Sequence, residues 1–250
     1  MADQEIQKPH LPYNTKAVLF DLDDTLHHRS RAYRGWAQAF ALHHCQDNPA
    51  LCQELAERLI QLDEHGYAQR EDVFSQLKHD YPFLQGSVEA LMNTYWRDVI
   101  AHVVLEPEIA ILIHALQDAQ IPFGIVTNGI ASQQKRKITQ LGFDAISPCV
   151  FISGEFGVSK PHPSIFRAAA RCLATKPEDI LFVGDHPRFD MWGAHAVGMK
   201  TVWVHHDPRI WPADIPQDIL TATIHSFAEL LPLFGIADTI PPTAESSKML

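Results

Sequence analysis

Five short runs dense in valine, isoleucine, leucine and phenylalanine punctuate the chain: AVLF ending at Phe20, PFGIVT at Thr127, CVFIS at Ser153, ILFVG at Gly184 and TVWVH at His205. Each is too short for a helix and is bounded by turn residues, the pattern of a strand buried on both faces. Between the later runs the period lengthens. EPEIAILIHALQDAQ, ASQQKRKITQLG and HPSIFRAAARCLAT have helical spacing, the second closed by a glycine and the last opened by prolines. Strand alternating with helix predicts an α/β fold with a doubly wound parallel sheet.

The alternation lapses once. From His27 to Leu105 no comparable run appears, and RAYRGWAQAFALHH, PALCQELAERLIQLDEHG, REDVFSQLKHD and SVEALMNTYWRDVIA instead read as helices. That stretch is too long for a simple crossover. We read 27–105 as an inserted α-helical cap domain and 1–26 with 106–250 as a Rossmann-like core. Such an insert sits over the C-terminal end of the first strand, where ligands of open α/β sheets bind. The ends, near 1–12 and 240–250, read as poorly ordered tails.

Polar groups gather where the strands end. Asp21, Asp23 and Asp24 fall within four residues after the first; Thr127, Asn128 and Gly129 end the second; GVSKPHPSIF after the third carries Lys160; and GDHPRFD at the fourth carries Asp185 and Asp190. Carboxylates this close raise one another's pKa and cost stability unless a cation or hydrogen bonds hold them. Several carboxylates with one ammonium and one hydroxyl suit a hard cation such as Mg2+, which prefers oxygen ligands, together with a phosphate.

In order and kind these segments resemble the motifs of the haloacid dehalogenase superfamily, in its phosphatase branch with a helical cap inserted after the first motif: DLDDT, VTNG, Lys160 and GDHPRFD, spread over nearly the whole chain. The resemblance implies Asp21 as nucleophile, forming an aspartyl-phosphate. It implies Asp23 as acid and base, with its backbone carbonyl rather than its side chain on the metal. Thr127, Asn128, Gly129 and Lys160 would bind phosphate, Lys160 also offsetting the charge of the nucleophile. Asp185 would bind Mg2+ directly, with Asp190 completing the sphere or orienting a metal-bound water. The dehalogenases of the superfamily lack an acid at the position of Asp23, so its presence points to phosphate transfer. His186 departs from the family's usual small hydroxyl residue, and an imidazole there suits a hydrogen-bond donor, a modifier of pH dependence or a group turned away.

The resemblance implies a phosphatase of a small phosphorylated metabolite such as a nucleoside monophosphate, flavin mononucleotide or a sugar phosphate, its cap closing to exclude water. A phosphomutase and a catalytically silent binding protein are the alternatives. The aromatic residues of the insert (Trp36, Phe40, Tyr67, Phe74, Tyr95, Trp96) read first as its own core, with a weak tilt toward ring-bearing substrates. The loop DEHGYAQREDV is a candidate substrate contact, because Gly66 would let backbone approach the site. Of Arg29, Arg31 and Arg34, some are candidates to meet an anionic substrate tail. Asp24 reads as solvent-facing, Thr25 as a cap for the following turn, and Asp190 as a candidate N-cap besides its metal role.

Composition narrows the partners. A net charge of −10 argues against nucleic-acid polymers. No apolar run is long enough to span a bilayer, and the N-terminal segment has no signal-peptide pattern, so the expected location is cytoplasmic. Cys45, Cys52, Cys149 and Cys172 show no paired spacing and are expected as reduced thiols. The histidine pairs at 27–28, 43–44 and 205–206 lack zinc spacing. Oligomeric state is not legible.

Overall fold

All five apolar runs form strands. The computed structural model of the chain describes residues 12–45, 47–206 and 209–236. β1 (Ala17–Phe20), β2 (Phe123–Thr127), β3 (Val150–Ile152), β4 (Ile180–Gly184), β5 (Lys200–Val204) and β6 (Ala222–Ile224) make one sheet, every pair parallel, in the order β3-β2-β1-β4-β5-β6. β6 is unanticipated because it has three residues with Thr223 exposed, too little to register as an apolar run. β1, β2 and β4 are buried at every position, as interior strands of a sheet covered on both faces must be.

The chain enters at the middle of the sheet, steps outward through β2 to β3, then returns past β1 to β4 and onward. With right-handed crossovers this reversal puts helices on both faces and opens a crevice at the C-terminal ends of β1 and β4.

Contacts divide the chain into two units, 1–27 with 105–134 and 143–250, and 28–104 with 135–142. The second therefore takes a segment that the sequence reading left in the core. Its reason is local: Arg136 donates to the carbonyls of Trp96 and Arg97.

In the helical unit, α1 (Arg29–His44), α2 (Pro49–Leu62), α3 (Arg70–Asp80) and α4 (Val88–Asp98) enclose an aromatic core. Asn48 and Ser87 cap α2 and α4, accepting from Leu51 N and Ala90 N at 3.1 Å each. Trp36 lies edge-on to Tyr95 and Phe74, with centroids 4.7 and 6.1 Å away, and all three rings are buried. Trp36, Phe74 and Tyr95 are committed to packing, as the first reading of the insert's aromatics has it, whereas Tyr67 is exposed. Arg29 is committed too: its guanidinium grips Asp63 with two hydrogen bonds of 2.7 and 2.8 Å, and Arg70 adds a third at 2.6 Å. Burial alone would raise the Asp63 carboxyl, yet the two guanidiniums hold it below the usual carboxylate range. Gly66 has φ +94°, and a Cβ there would stand 2.7 Å from the Arg29 guanidinium carbon. The glycine thus makes room for Arg29.

In the core unit, α5 (Pro107–Asp118) precedes β2 and buries Ile109, Leu112, Ile113 and Leu116, each contributing about 2 kcal/mol. α6 (Ala131–Gln140), of which only 131–134 belong to this unit, follows β2; α7 (Ser153–Phe156) is one turn after β3; α8 (Pro163–Cys172) packs Phe166 edge-on to Phe182 of β4. The expectation of four reduced thiols fails for one pair. Cys149, just before β3, is disulfide-bonded to Cys172 at the end of α8, their Cα atoms 5.8 Å apart. A separation of 23 residues hid a proximity that only the strand-to-helix packing creates. Cys45 and Cys52 are free. The tails expected near 1–12 and 240–250 lie outside the described residues, save for Pro12, which is buried.

Candidate active site

Asp21 continues the line of β1 by one residue, its N–H donating to Val183 O of β4 at 2.9 Å. Asp185 directly follows β4. Its carbonyl accepts from Trp203 Nε1 on the neighbouring β5 at 2.9 Å. Two carboxylates are thereby fixed by the sheet itself at the mouth of the crevice.

Asp190 arrives by a different device. Pro187–Trp192 forms a π-helical turn in which Asp190 N and Met191 N both reach His186 O. Such turns re-aim one side chain relative to an ordinary helix. Asp190 is buried, and its Oδ2 accepts from His186 N at 2.9 Å, so it is not the N-cap of a following helix. Gly184 makes this approach possible: a Cβ there would stand 2.6 Å from Asp190 Oδ2.

His186 is the cap of that turn. Its Nδ1 accepts from Arg188 N at 3.2 Å and Phe189 N at 3.1 Å, and the ring stacks on Phe189 at 4.1 Å. Burial, with Arg209, Lys160 and Arg188 nearby, lowers its pKa to about 4 against the pull of Asp190. The imidazole is therefore neutral, as an accepting Nδ1 requires. Its work is to hold the turn that presents Asp190.

Lys160 joins the strands' offerings. Its ammonium lies 2.6 Å from Asp21 Oδ1 and 2.6 Å from Asp190 Oδ1, and the side chain is 3% exposed. Asn128 fixes its backbone from both sides, Oδ1 accepting from Lys160 N at 2.8 Å and Nδ2 donating to Lys160 O at 3.0 Å. One ammonium cannot neutralise two carboxylates. Burial, opposed by Lys160 and reinforced by Asp190, pushes Asp21 up to about 7, while the two carboxylates raise the Lys160 pKa despite its burial and keep it charged.

Carboxylate oxygens of Asp21, Asp185 and Asp190 all lie within 4.8 Å of one another, the one group of metal-ligating type among the described residues. Burial also drives Asp185 well above the ordinary carboxylate range, although Arg209 pairs with its Oδ2 and donates to its carbonyl at 2.9 Å. An all-oxygen, buried and acid-rich donor set of this kind fits a hard divalent cation.

Asp23 stands apart from this group. Its Oδ1 lies 2.9 Å from His27 Nε2 and its Oδ2 2.9 Å from Gln134 Nε2. The same Gln134 nitrogen reaches Thr127 Oγ1 at 2.6 Å and Asn128 O at 3.2 Å. Thr127 is buried; its hydroxyl accepts from Gln134 and donates only over a long 3.4 Å contact to Asn128 O, which leaves its proton available to an incoming acceptor. Gly129 differs from expectation: its N–H is engaged by Ser153 Oγ at 3.0 Å. Asp24 differs too, being buried at φ 55°, with its carbonyl held by His206 Nε2 at 2.7 Å. Thr25 Oγ1 is buried without a hydrogen-bond partner and caps nothing. Gln134, Ser153 and Arg209 went unread in the sequence, since nothing in ASQQKRK, CVFIS or the segment after β5 sets them off.

Residues 15–198 match the family of haloacid dehalogenase-like hydrolases. A glyceraldehyde 3-phosphate phosphatase of Methanopyrus kandleri is 33% identical over 196 residues, covering 75% of this chain and 82% of that one. A ribulose-1,5-bisphosphate 5-phosphatase of Halopiger xanaduensis is 28% identical over 74% of this chain and 83% of its own. Among solved structures, the HAD-hydrolase YfnB of Bacillus subtilis, bound to magnesium, superposes with a TM-score of 0.69 at 25% identity, over 89% of this chain and all of that one. Among the described residues no single helix is long and apolar enough to cross a membrane.

Proposed function

As a member of the haloacid dehalogenase-like hydrolase family the chain is a phosphoric monoester hydrolase, and we propose that it is a magnesium-dependent phosphatase of small phosphorylated metabolites acting through an aspartyl-phosphate. The observation that carries this reading is the Lys160 ammonium, held 2.6 Å from both Asp21 and Asp190 at the mouth of the sheet.

Lys160 holds Asp21 Oδ1, which leaves Oδ2 to attack phosphorus. As the phosphorus–oxygen bond to the leaving group breaks, Asp23 gives that oxygen a proton; it then takes one from the water that cleaves the aspartyl-phosphate, restoring Asp21 and releasing inorganic phosphate. Thr127 Oγ1 donates to a phosphoryl oxygen, and Asn128 keeps Lys160 in place. Asp21, Asp185 and the Asp23 backbone carbonyl would hold magnesium, with Asp190 orienting from behind because both its oxygens are already engaged. Bound there, the ion neutralises the carboxylates and draws charge from the phosphoryl oxygens.

Relatives named for glyceraldehyde 3-phosphate, phosphoserine and ribulose-1,5-bisphosphate support small, polar, non-aromatic phosphate esters as the substrate class. A cytoplasmic setting belongs to the same proposal. Structural disulfides seldom persist in a reducing compartment, so alkylation of thiols in freshly quenched cells, read at Cys149 and Cys172, tests it. The function itself is tested by phosphate release with magnesium across sugar, triose, amino-acid and nucleotide monophosphates. Release from the polar esters, abolished by EDTA, is expected; transfer to a second substrate hydroxyl without phosphate release would overturn hydrolysis.

A further inference from the structure

The acid–base carboxylate is held by a residue that no motif assigns. His27 is 1% exposed and follows Asp23 by four residues, the two backbones meeting in an isolated parallel bridge. That short return lays the ring against the carboxylate, Nε2 at 2.9 Å from Oδ1. The other ring nitrogen, Nδ1, is buried with no hydrogen-bond partner. An unpaired buried N–H costs more than an unpaired lone pair, because nitrogen's proton has nowhere else to go. The ring's proton therefore sits on Nε2, and the ring donates to Asp23. Gln134 Nε2 donates to the second oxygen at 2.9 Å. With His27 on one oxygen and Gln134 on the other, the carboxyl plane is fixed.

We propose that His27 is a positioning residue for Asp23: its imidazole donates from Nε2 and aims the carboxyl at the oxygen of the leaving alcohol. The inference rests on the phosphatase reading of Asp23 as acid and base. It belongs to orientation, and the proton that reaches the leaving group comes from Asp23, never from His27. The consequence is selective. Esters of alkoxide-type leaving groups need the proton as the bond breaks, whereas a dinitrophenolate leaves without it, so loss of aim shows on the first and not on the second.

The test compares kcat/KM of the full chain, with saturating magnesium, on glycerol 1-phosphate and on 2,4-dinitrophenyl phosphate. His27→Phe keeps the ring's bulk and removes the donor. It should lower the glycerol phosphate value about 30-fold or more, within the range that general acid catalysis spans, and the dinitrophenyl value less than about 3-fold. His27→Gln, which restores a donor, should recover most of the loss. Asp23→Asn separates this inference from the reading beneath it. If Asp23→Asn leaves glycerol phosphate turnover near the parent's, the acid–base reading falls and this inference with it. If Asp23→Asn collapses that turnover but His27→Phe changes neither substrate, or both alike, the positioning role alone is overturned. Should His27→Phe not fold, nitrogen-15 spectra of the unmodified protein decide: a proton on His27 Nε2 is expected, and a ring without one there refutes the proposal.

Discussion

Replacing Lys160 with methionine probes the charge balance on which the site depends. The side chain is 3% exposed and its ammonium lies 2.6 Å from each of two buried carboxylates. Methionine keeps much of the stem's volume and removes the cation. Deleting one partner of a buried ion pair costs about 3–5 kcal/mol. At a urea dependence of about 3 kcal/mol per molar, the unfolding midpoint should drop by about 1–1.7 M. The loss must depend on pH. Asp21 binds its proton more tightly folded, at about 7, than at the ordinary 3.8, so the native chain takes up protons between those values and stability falls as pH rises through that window. At 1.36 kcal/mol per pH unit the fall amounts to about 4 kcal/mol for the parent. Without Lys160 the carboxyl holds its proton to still higher pH, and the fall continues above 7. Urea titrations in EDTA, followed by tryptophan fluorescence at about pH 5.5 and about pH 8.5, should show the variant's deficit growing by at least about 1.5 kcal/mol toward alkaline pH. A deficit below about 1 kcal/mol at the higher pH, or equal at both, would refute the reasoning.

Asp21→Asn should abolish phosphate release yet raise metal-free stability at about pH 8 by about 1–3 kcal/mol, because it removes one of three crowded charges; parent-like turnover would end the covalent mechanism. Magnesium should raise the thermal midpoint of the parent in a differential scan and leave that of Asp185→Asn nearly unmoved, while equal shifts would place the ion elsewhere. In the helical unit, Asp63→Ala strands the Arg29 and Arg70 guanidiniums and should cost about 3 kcal/mol at neutral pH. Since the Asp63 pKa is depressed, that contribution is present above about pH 4 and disappears as pH falls through its folded value. A pH series of thermal melts in which parent and variant differ equally at all values would contradict it.

Most of the sheet was legible because interior parallel strands bury both faces and so appear as unbroken apolar runs. β6 escaped because an edge strand of three residues has no such signature. In the site, Asp21, Asp185, Asp190, Lys160, Thr127 and Asn128 were visible as polar groups at strand ends, where topology alone collects side chains. What stayed hidden acts across distance. Gln134 touches Asp23 over a gap of 111 residues, and Cys149 reaches Cys172 through the packing of a helix on a strand. Neither leaves a period in the chain. The roles of His186 as a cap and of Gly66 as a seat for a guanidinium were not legible, because both are defined by neighbours that only folding supplies.

The paired bonds between the Asn128 amide and the Lys160 main chain have a further meaning. A carboxamide can imitate a peptide group, so Asn128 serves as a surrogate rung of the ladder and moors the lysine to the end of β2 although it lies on no strand. The ammonium's address is then independent of how the chain travels from Phe156 to Ser159. That connecting loop is free to lengthen or shorten, and the charge at its far end stays where the sheet has anchored it.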